Sequence, residues 1–403
     1  MKKTIYNCLL SCVLVVCYAC KDDVSETVNR RTVLVYMAAD NSLSSFADDD
    51  FNEMMEGFAE IDNNADNLIV YLDDKTKPQL IRILRNNVGK VVRQVIWTYD
   101  EQNSVDVKVM QEILSRTFNN FPANSYGLVL WSHGDGWGPP DWKVTSRSFG
   151  QDGSDKMNIS DLRNVLEDYH FDFILFDACF MQTVEVAYEL RACSDYFIGS
   201  PTEIPGPGAP YQILVKSMFA TCNTEETAID IARNYYDFYA LKYNGGQGSS
   251  NQNWTGGVSV SVVKSAELVP LAAATQNIFT QYLNSETVIY TPDIMCYDPL
   301  RFSSYDPLRF SSYYYDIDSF IYSLTGDDNA DYTFWHMAFE NAVPYFETTE
   351  KNYSMYGGGG MFSMKNATGL SIYIPKKNLT DINAFYATYQ WYTAAGWDAT
   401  ELF

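Results

Sequence analysis

Two residues with reactive side chains each follow an apolar run of strand length. The run Tyr-Gly-Leu-Val-Leu-Trp-Ser leads to His133, and the run Phe-Asp-Phe-Ile-Leu-Phe-Asp-Ala leads to Cys179. If these runs are neighbouring parallel strands, both side chains emerge at the carboxyl end of one sheet, where open α/β sheets bind their ligands. There the thiol of Cys179 could attack a carbonyl carbon, and the imidazole of His133 could protonate the leaving amine. We therefore predict a cysteine nucleophile that faces a histidine.

The other cysteines and histidines fit these roles less well. Four of the eight cysteines fall in the first twenty residues, and the four beyond them are too scattered for a disulfide framework or a zinc site. His170 precedes the run that leads to Cys179, at the wrong end of the strand, and His336 lies in a helical pattern among aromatic residues. Because a helical pattern follows Cys179, we expect a helix amino terminus to stabilise its thiolate. The alternative for Cys179 is a buried structural thiol.

Three neighbouring residues could complete a site around this pair. Gly134 lets backbone N–H groups approach a substrate carbonyl, and with the N–H of Cys179 it could form an oxyanion hole. Asp177 lies two residues before Cys179 and therefore points to the same side of the strand. Since a buried carboxylate needs a partner, Asp177 either binds a substrate Arg or Lys or is satisfied by backbone N–H groups, and the spacing leaves both open. Glu203 follows the next predicted strand and could line the same pocket.

Alternating strands and helices are predicted to position these residues. Strands are expected over 32–39, 68–72 and 196–200 in addition to the two that precede His133 and Cys179. A helix is expected over 331–347. A hairpin over 79–97 is expected at a sheet edge, and the Pro-, Gly- and Ser-rich segment 139–157 is predicted to be a loop. The alternation indicates an α/β fold with a mainly parallel central sheet and helices on both faces.

The composition excludes several classes of function. A chain of 403 residues, of which 46% are hydrophobic, can bury a large core. Its net charge of −23 argues against nucleic acid or anionic lipid as a partner, because phosphate binding needs clustered Lys and Arg. No metal site and no required cofactor are predicted. Calcium stays possible, although Asp152-Gly153-Ser154-Asp155 is too short a match to a calcium-binding loop.

The first twenty residues have the features of an export signal. Two lysines precede an apolar run over 5–16 that is too short to span a membrane comfortably. An alanine then precedes Cys20, as in a bacterial lipobox, although Cys17 occupies the position where Leu is usual. We predict a lipoprotein signal peptide over 1–20, with lipidation of Cys20, and a tether over 21–31. An ordinary cleaved signal peptide is the alternative, and either one sends the protein to the cell envelope or surface or into the medium.

Four segments together resemble the clostripain family of cysteine peptidases. They are Tyr36 to Leu43 (YMAADNSL), Leu130 to Trp137 (LWSHGDGW), Phe176 to Met181 (FDACFM) and Glu203 to Gly206 (EIPG). They occur in the family's order and cover about residues 32–215. The resemblance implies a caspase-like fold, related to that of legumain-like enzymes, and a His133–Cys179 dyad. It also implies cleavage after Arg or Lys, with Asp177 in the primary specificity pocket.

The same resemblance implies how the protein is activated. Family members are often made as zymogens and cut in the loop between the two catalytic strands, which is the segment 139–157 here. Lys143 and Arg147 lie in this loop, and we predict self-cleavage after Arg147. The expected product is a monomer or a two-chain form that acts on proteins or peptides with basic residues. Contact with a membrane is expected only through the lipid anchor.

The organisation predicted for the rest of the chain is a catalytic domain followed by an extension. Residues 32–215 are predicted to form the catalytic domain, and 216–403 a C-terminal α+β region that completes it or packs on it. A tandem octapeptide over 297–312 is interpreted as a small duplication in a surface loop. Two alternative functions stay open. One is a peptidase of the same fold that prefers Asn or acidic residues, and the other is a non-enzymatic surface lipoprotein whose Tyr- and Trp-rich half binds glycan or protein.

Overall fold

The computed structural model describes residues 29–61, 65–138, 148–220, 222–247, 253–300, 312–327 and 329–402. The predictions for the signal peptide, for Cys20 and for cleavage at Lys143 or Arg147 concern residues outside these ranges. Most of the tandem octapeptide also lies outside them.

Strands and helices alternate through the first half of the chain. The strands are β1 (Asn29–Ala38), β2 (Asp66–Asp73), β3 (Gln79–Arg85), β4 (Val91–Thr98), β5 (Ala123–Trp131), β6 (Phe149–Asp152), β7 (Asp155–Met157), β8 (Phe171–Asp177), β9 (Ser194–Gly199), β10 (Ser259–Lys264), β11 (Tyr315–Asp316), β12 (Tyr345–Thr348), β13 (Lys351–Ser354), β14 (Gly360–Ser363) and β15 (Ser371–Ile372). The helices are α1 (Ser44–Phe58), α2 (Val107–Asn120), α3 (Ile159–Leu166), α4 (Val184–Leu190), α5 (Tyr211–Met218), α6 (Thr224–Ala240), α7 (Leu268–Tyr282), α8 (Ile317–Thr325), α9 (Ala330–Ala342), α10 (Thr380–Tyr386) and α11 (Gln390–Ala394). None of the helices in the described ranges is long and apolar enough to cross a membrane.

A nine-stranded sheet forms the centre of the structure. Its order is β12-β10-β9-β8-β5-β1-β2-β3-β4. The five strands from β9 to β2 are parallel to one another, and antiparallel strands extend the sheet at both edges. Every residue of β2 is buried, as expected for a parallel strand covered on both faces. The predicted parallel central sheet is confirmed, as is the hairpin at its edge, formed by β3 and β4.

The two faces of the sheet pack against separate hydrophobic cores. Side chains alternate between the faces along β1, so that Val33 and Val35 join one core while Leu34 and Tyr36 join the other. Helices α1, α5 and α6 cover the first face, and α2, α3, α4 and α7 to α11 contribute to the core on the second. The prediction of helices on both faces is therefore confirmed.

The second half of the chain is joined to the first through the sheet. Strands β10 and β12 extend it beyond β9, and helix α5 crosses the predicted boundary between residues 215 and 216. The small sheets β11–β15 and β13–β14 also come from this half. Strands from both halves of the chain therefore belong to one sheet.

Two predicted elements differ from those observed. The described part of segment 139–157 is not all loop, because β6 and β7 form a hairpin whose turn contains Gly153 at φ +52°. Its Gly, Ser and Asp residues form the hairpin turn rather than an extended loop. The helix predicted over 331–347 ends at Ala342, because Pro344 disfavours the helical conformation of Val343 and strand β12 follows.

Candidate active site

The carboxyl ends of β5 and β8 meet at one edge of the sheet. Trp131, the last residue of β5, is the register partner of Asp177, the last residue of β8. His133 and Cys179 each lie two residues beyond these partners, so the parallel pairing brings them to the same edge. Both residues line one cavity of about 710 Å³. The structure thus brings together the two residues that the sequence singles out for chemistry.

The His133 imidazole is held by a neighbour from the turn before α1. Its Nε2 lies 2.8 Å from the hydroxyl oxygen of Ser42, which also lines the cavity. The backbone of His133 is fixed as well, because the N–H of Gly150 donates to its carbonyl at 2.9 Å. Ser132 bonds to the carbonyl of Ala38 at 2.7 Å and so ties this loop to the end of β1. The imidazole is therefore held by Ser42, and the chain around it is held by bonds to Gly150 and Ala38.

Gly134 occupies a position that accepts no side chain. A Cβ atom there would lie 2.7 Å from the carbonyl oxygen of Cys179 and 2.9 Å from the Cβ of Ala178. Gly134 also forms an isolated antiparallel bridge with Phe149. The hydrogen bonds of this bridge are formed by His133 and Asp135, the residues on either side of Gly134. The N–H of Gly134 therefore points away from the strand that contains Phe149. This close approach places the backbone of Gly134 beside that of Cys179.

The Cys179 thiol is partly buried and carries its proton at neutral pH. Its sulfur accepts a weak hydrogen bond from the N–H of Ile204 at 3.5 Å. Burial, reinforced by the carboxylate of Glu203, raises the pKa of the Cys179 thiol to about 12. Deprotonation of the sulfur therefore requires a base at the moment of attack.

The expectation that a helix amino terminus stabilises this thiolate is wrong. Helix α4 begins only at Val184, five residues after Cys179. In between, Phe180 takes the left-handed conformation at φ 61°, and its N–H donates to the carbonyl of Thr202 at 2.9 Å. The chain therefore turns after the thiol and then enters the helix, so the exposed N–H groups of α4 do not begin at the sulfur.

Asp177 lies in the wall of the same cavity with only 2% of its surface exposed. Its carboxylate accepts hydrogen bonds from the N–H of Ala209, at 3.0 and 3.1 Å, and from the hydroxyl of Tyr211 at 2.8 Å. The two alternatives from the sequence are therefore compatible, because Asp177 is held by a backbone N–H and also faces a pocket. Burial raises the pKa of its carboxyl group.

A second buried carboxylate, missed in the sequence analysis, lies beside Asp177. Asp50 is also 2% exposed and lines the cavity, and it accepts a hydrogen bond from the indole N–H of Trp131 at 2.6 Å. A Cβ atom on Gly208 would lie 3.2 Å from Oδ2 of Asp177 and 3.4 Å from Oδ2 of Asp50. Both carboxylates therefore converge beneath Gly208. The helical spacing of Asp50 with buried Met54 is a signal that could have identified it.

Glu203 lines the cavity and contacts the second half of the chain. Its carboxylate accepts hydrogen bonds from the N–H of Met355 at 3.0 and 3.2 Å. Trp254, Tyr353 and Tyr356 also line the cavity. The second half of the chain thus supplies one wall of a site whose reactive residues come from the first half.

The other two histidines lie in separate ion pairs. His170 pairs with Asp195 at 3.0 Å and is exposed, and His336 pairs with Asp318 at 2.8 Å. Neither lines the cavity. Within the described ranges, no group of three or more His, Cys, Asp or Glu side chains is arranged to hold a metal ion. The cavity therefore combines a thiol, an imidazole and three carboxylates, two of them buried, which suits nucleophilic attack on an amide next to a cationic side chain.

Sequence comparison relates nearly the whole chain to one family. The model of the clostripain family, Peptidase_C11, matches residues 35–401. Clostripain from Hathewaya histolytica is 26% identical over 243 residues, which are 51% of this chain and 46% of that protein. The chain thus matches about half the length of this curated relative.

Solved structures match over most of both chains. A secreted C11 cysteine protease from Bacteroides thetaiotaomicron, solved with an irreversible peptide inhibitor, is 47% identical with a TM-score of 0.83, and the match covers 92% of this chain and 99% of that one. An inactive zymogen C11 protease from Parabacteroides distasonis is 34% identical with a TM-score of 0.76, and that match covers 91% and 97%. These matches confirm the predicted α/β fold class across both halves of the chain.

Proposed function

Because this chain belongs to the clostripain family of cysteine peptidases, we propose that it is an endopeptidase with Cys179 as nucleophile and His133 as acid–base partner. The observation that carries the proposal is that both residues follow the paired ends of adjacent parallel strands and line one cavity. Two buried carboxylates in the same cavity supply a site for a basic side chain.

The residues at this sheet edge can perform both halves of peptide hydrolysis. As the sulfur of Cys179 attacks the scissile carbonyl carbon, its proton passes to the imidazole of His133. The N–H groups of Gly134 and Cys179 donate to the resulting oxyanion. His133 then gives the proton to the leaving nitrogen, the C–N bond breaks, and a thioester remains. Water attacks the thioester while His133 accepts its proton, which releases the acid and restores the thiol.

The high pKa of the thiol sets the order of these events. With a pKa of about 12, Cys179 holds its proton at neutral pH in the absence of substrate. Attack is therefore coupled to transfer of the thiol proton to His133. The hydroxyl of Ser42 keeps the imidazole in position through its contact with Nε2.

We further propose that the substrate residue before the scissile bond is Arg or Lys. Asp177 would pair with its cationic group, whereas an acidic substrate residue would place like charges together in a buried site. An Asn substrate would leave a desolvated carboxylate without a countercharge, which is costly. The carboxylates thus favour basic residues over the alternative Asn or Asp specificity.

Fluorogenic peptides that differ only at the residue before the scissile bond test this function directly. We expect the purified mature protein to hydrolyse the Arg and Lys peptides with a kcat/KM at least about 100-fold above that for Asn or Asp, because a charge pair in a desolvated pocket discriminates by several kcal/mol. Release of the fluorophore measures the rate. Faster hydrolysis of Asn or Asp peptides would support the alternative specificity, and no hydrolysis of any peptide would contradict the peptidase proposal.

We propose that the protein is made as a zymogen and cleaves itself within segment 139–157. The relative from Parabacteroides distasonis is described as an inactive zymogen, which supports this. The residues that flank the undescribed part of the segment are tied together, since the hydroxyl of Ser148 donates to the carbonyl of Gly138 at 2.7 Å. A cut between Gly138 and Ser148 would therefore leave both flanks anchored.

The cleavage site can be located with basic-residue variants. We expect Arg147→Ala to slow maturation by about 10-fold or more, because a neutral residue cannot pair with the carboxylates of the cavity. Residual cutting after Lys143 should disappear in the double variant with Lys143→Ala. Gel electrophoresis follows the rate, and mass spectrometry of the new amino terminus identifies the bond. Lys90→Ala, in an exposed hairpin turn, is the matched control, and normal maturation of the double variant would contradict the proposed site.

We also propose that the protein is exported, with Cys20 lipidated. The charged, apolar and small-residue order of the first twenty residues supports export, and the Bacteroides thetaiotaomicron relative is described as secreted. A lipid-anchored protein would act on peptides at the cell envelope or surface, with membrane contact limited to its acyl chains.

A further inference from the structure

The Asp50–Asp177 pair places more negative charge in the cavity than one substrate cation requires. Both carboxylates are almost fully buried, and both approach the same point beneath Gly208. Neither carboxylate forms an ion pair with any residue in the described ranges. Two such groups cannot both ionise cheaply, since each charge is desolvated and each repels the other.

We propose that Asp50 is a second specificity residue. Together with Asp177 it forms a two-carboxylate site that holds one shared proton without substrate and releases that proton when a basic side chain binds. This inference rests on the proposed cleavage after Arg or Lys. The exchange leaves the net charge of the site unchanged, because one proton leaves for solvent as one cation binds. The second carboxylate ionises only when the substrate cation is present to pair with it.

The hydrogen bonds around the pair support one ionised carboxylate without substrate. Trp131 donates to Asp50, while the N–H of Ala209 and the hydroxyl of Tyr211 donate to Asp177. These three donors stabilise one negative charge, but they do not neutralise two. Burial and the neighbouring carboxylate raise the pKa of Asp50 well above its usual range, and burial raises that of Asp177.

Other acids on α1 also face the pair and could titrate with it. Asp49 is exposed, and Glu53 accepts a hydrogen bond from the N–H of Tyr211 at 3.1 Å. Burial raises the pKa of Glu53 to about 7, with a smaller effect of Lys242 in the opposite direction. Glu53 does not line the cavity. It is therefore the group whose titration must be separated experimentally from that of Asp50.

The tyrosines and the thiol around the pair stay protonated. Burial raises the pKa of Tyr211, Tyr235 and Tyr239 well above the usual value for tyrosine. Tyr235 and Tyr239 come from α6, which covers this face of the sheet. The Cys179 thiol is also close enough to interact with Asp177 but holds its proton. These groups act as fixed dipoles, so a change of protonation near neutral pH belongs to the carboxyl groups or to His133, which lines the same cavity. Comparison with the Asp50 variant, which keeps His133, separates the two.

Two carboxylates suit a basic side chain better than one. A guanidinium group has five N–H donors in a planar fork, and an ammonium group has three. Either group can donate to both carboxylates at once. Asp177 alone has fewer free acceptor positions, because it already accepts bonds from Ala209 and Tyr211. Asp50 would therefore add affinity for the basic residue without touching the reacting atoms.

Calorimetry of the full chain tests the exchange independently of catalysis. A Cys179→Ala protein is titrated with a peptide that has Arg before the scissile bond, at about pH 7.5, in buffers of different ionisation enthalpy. We expect release approaching one proton per peptide bound. In the Cys179→Ala/Asp50→Asn protein the release should fall towards zero, because Asp177 without its like-charged neighbour is already ionised. The amide oxygen introduced by Asp50→Asn can still accept the bond from Trp131, so the fold is retained. Absence of proton release across about pH 5 to 8 in the protein that keeps Asp50 would overturn the proposal even if the Asp50 variant failed to fold.

Steady-state kinetics supply the second readout. We expect Asp50→Asn to raise KM for Arg and Lys peptides by about 10-fold with kcat changed little, and to shift the acidic limb of kcat/KM to lower pH. Asp48→Asn, which removes a charge from an exposed position on the same helix, should match the unaltered protein. A shift of the limb in Glu53→Gln but not in Asp50→Asn would assign the proton to Glu53 and refute the inference. If the unaltered protein does not hydrolyse Arg or Lys peptides at all, the proposed function itself fails, which is a distinguishable result.

Discussion

Replacement of Cys179 by alanine is expected to lower kcat for arginyl and lysyl peptides by about 10⁴-fold or more, and to leave the chain uncut. The physical reason is the loss of the sulfur that forms the thioester, because no other thiol in the described ranges lines the cavity. The fold should be retained, since the sulfur accepts only a weak hydrogen bond from Ile204. Initial rates with fluorogenic peptides and a gel of the purified chain provide the measurement.

A second cysteine provides the control for this variant. Cys222 is also partly buried, but it lies outside the cavity and contacts the hydroxyl of Thr227 at 3.3 Å. Cys222→Ser should therefore retain activity and maturation. A thiol-reactive peptide inhibitor ending in Arg should label Cys179 and spare Cys222. Residual activity of Cys179→Ala above about 1% of the original would show that the nucleophile lies elsewhere.

Asp177→Asn is expected to lower kcat/KM for Arg and Lys peptides by at least about 100-fold, mainly through KM. Removing one carboxylate that pairs with a buried cation costs about 3–5 kcal/mol. The amide oxygen can still accept bonds from Ala209 and Tyr211, so a loss of activity would reflect charge rather than misfolding. Kinetics on peptides with Arg, Lys, Asn and Asp before the scissile bond would separate the effect on binding from the effect on chemistry.

The effect of Asp177 on the stability of the unaltered protein depends on pH. The folded-state pKa of Asp177 is raised, so the folded protein binds more protons than the unfolded chain between the two pKa values. Ionisation of Asp177 therefore lowers the free energy of unfolding as the pH rises from the pKa of Asp177 in the unfolded chain through its pKa in the folded protein. Thermal melts should show that Asp177→Asn is at least as stable as the unaltered protein at neutral pH. Asp168→Asn, at an exposed position before β8, is the control, and unchanged Arg kinetics in Asp177→Asn would contradict its role.

The main frame of the site follows from local sequence patterns. Apolar runs that end at His133 and Cys179 predict two buried parallel strands, and parallel strands place their carboxyl ends at one edge. The structure has this arrangement, with Trp131 and Asp177 as register partners. The alternation of elements also predicts helices on both faces. These features depend on short-range periodicity, which a single sequence contains.

The parts that were missed depend on contacts between distant segments. Asp50 is one of three consecutive aspartates, and only the packing of α1 on the sheet distinguishes it from its exposed neighbours. The bond from Met355 to Glu203 joins residues 152 positions apart. The delayed start of α4 depends on the turn at Phe180, which is held by Thr202. Local patterns do not specify such pairings, so the sequence predicted that His133 and Cys179 meet at one edge but not the full wall around them.

The adjacency of β5 and β8 has a consequence for the proposed cleavage. A cut between Gly138 and Ser148 divides the chain into a piece that contains β1 to β5 and a piece that contains β8 and the strands beyond it. These pieces share the ladder from Gly127–Phe173 to Trp131–Asp177 in the middle of the sheet. Separation would break that ladder and expose apolar surface on both sides of it. Proteolytic nicking would thus convert one polypeptide into an obligate heterodimer whose subunits part only on denaturation.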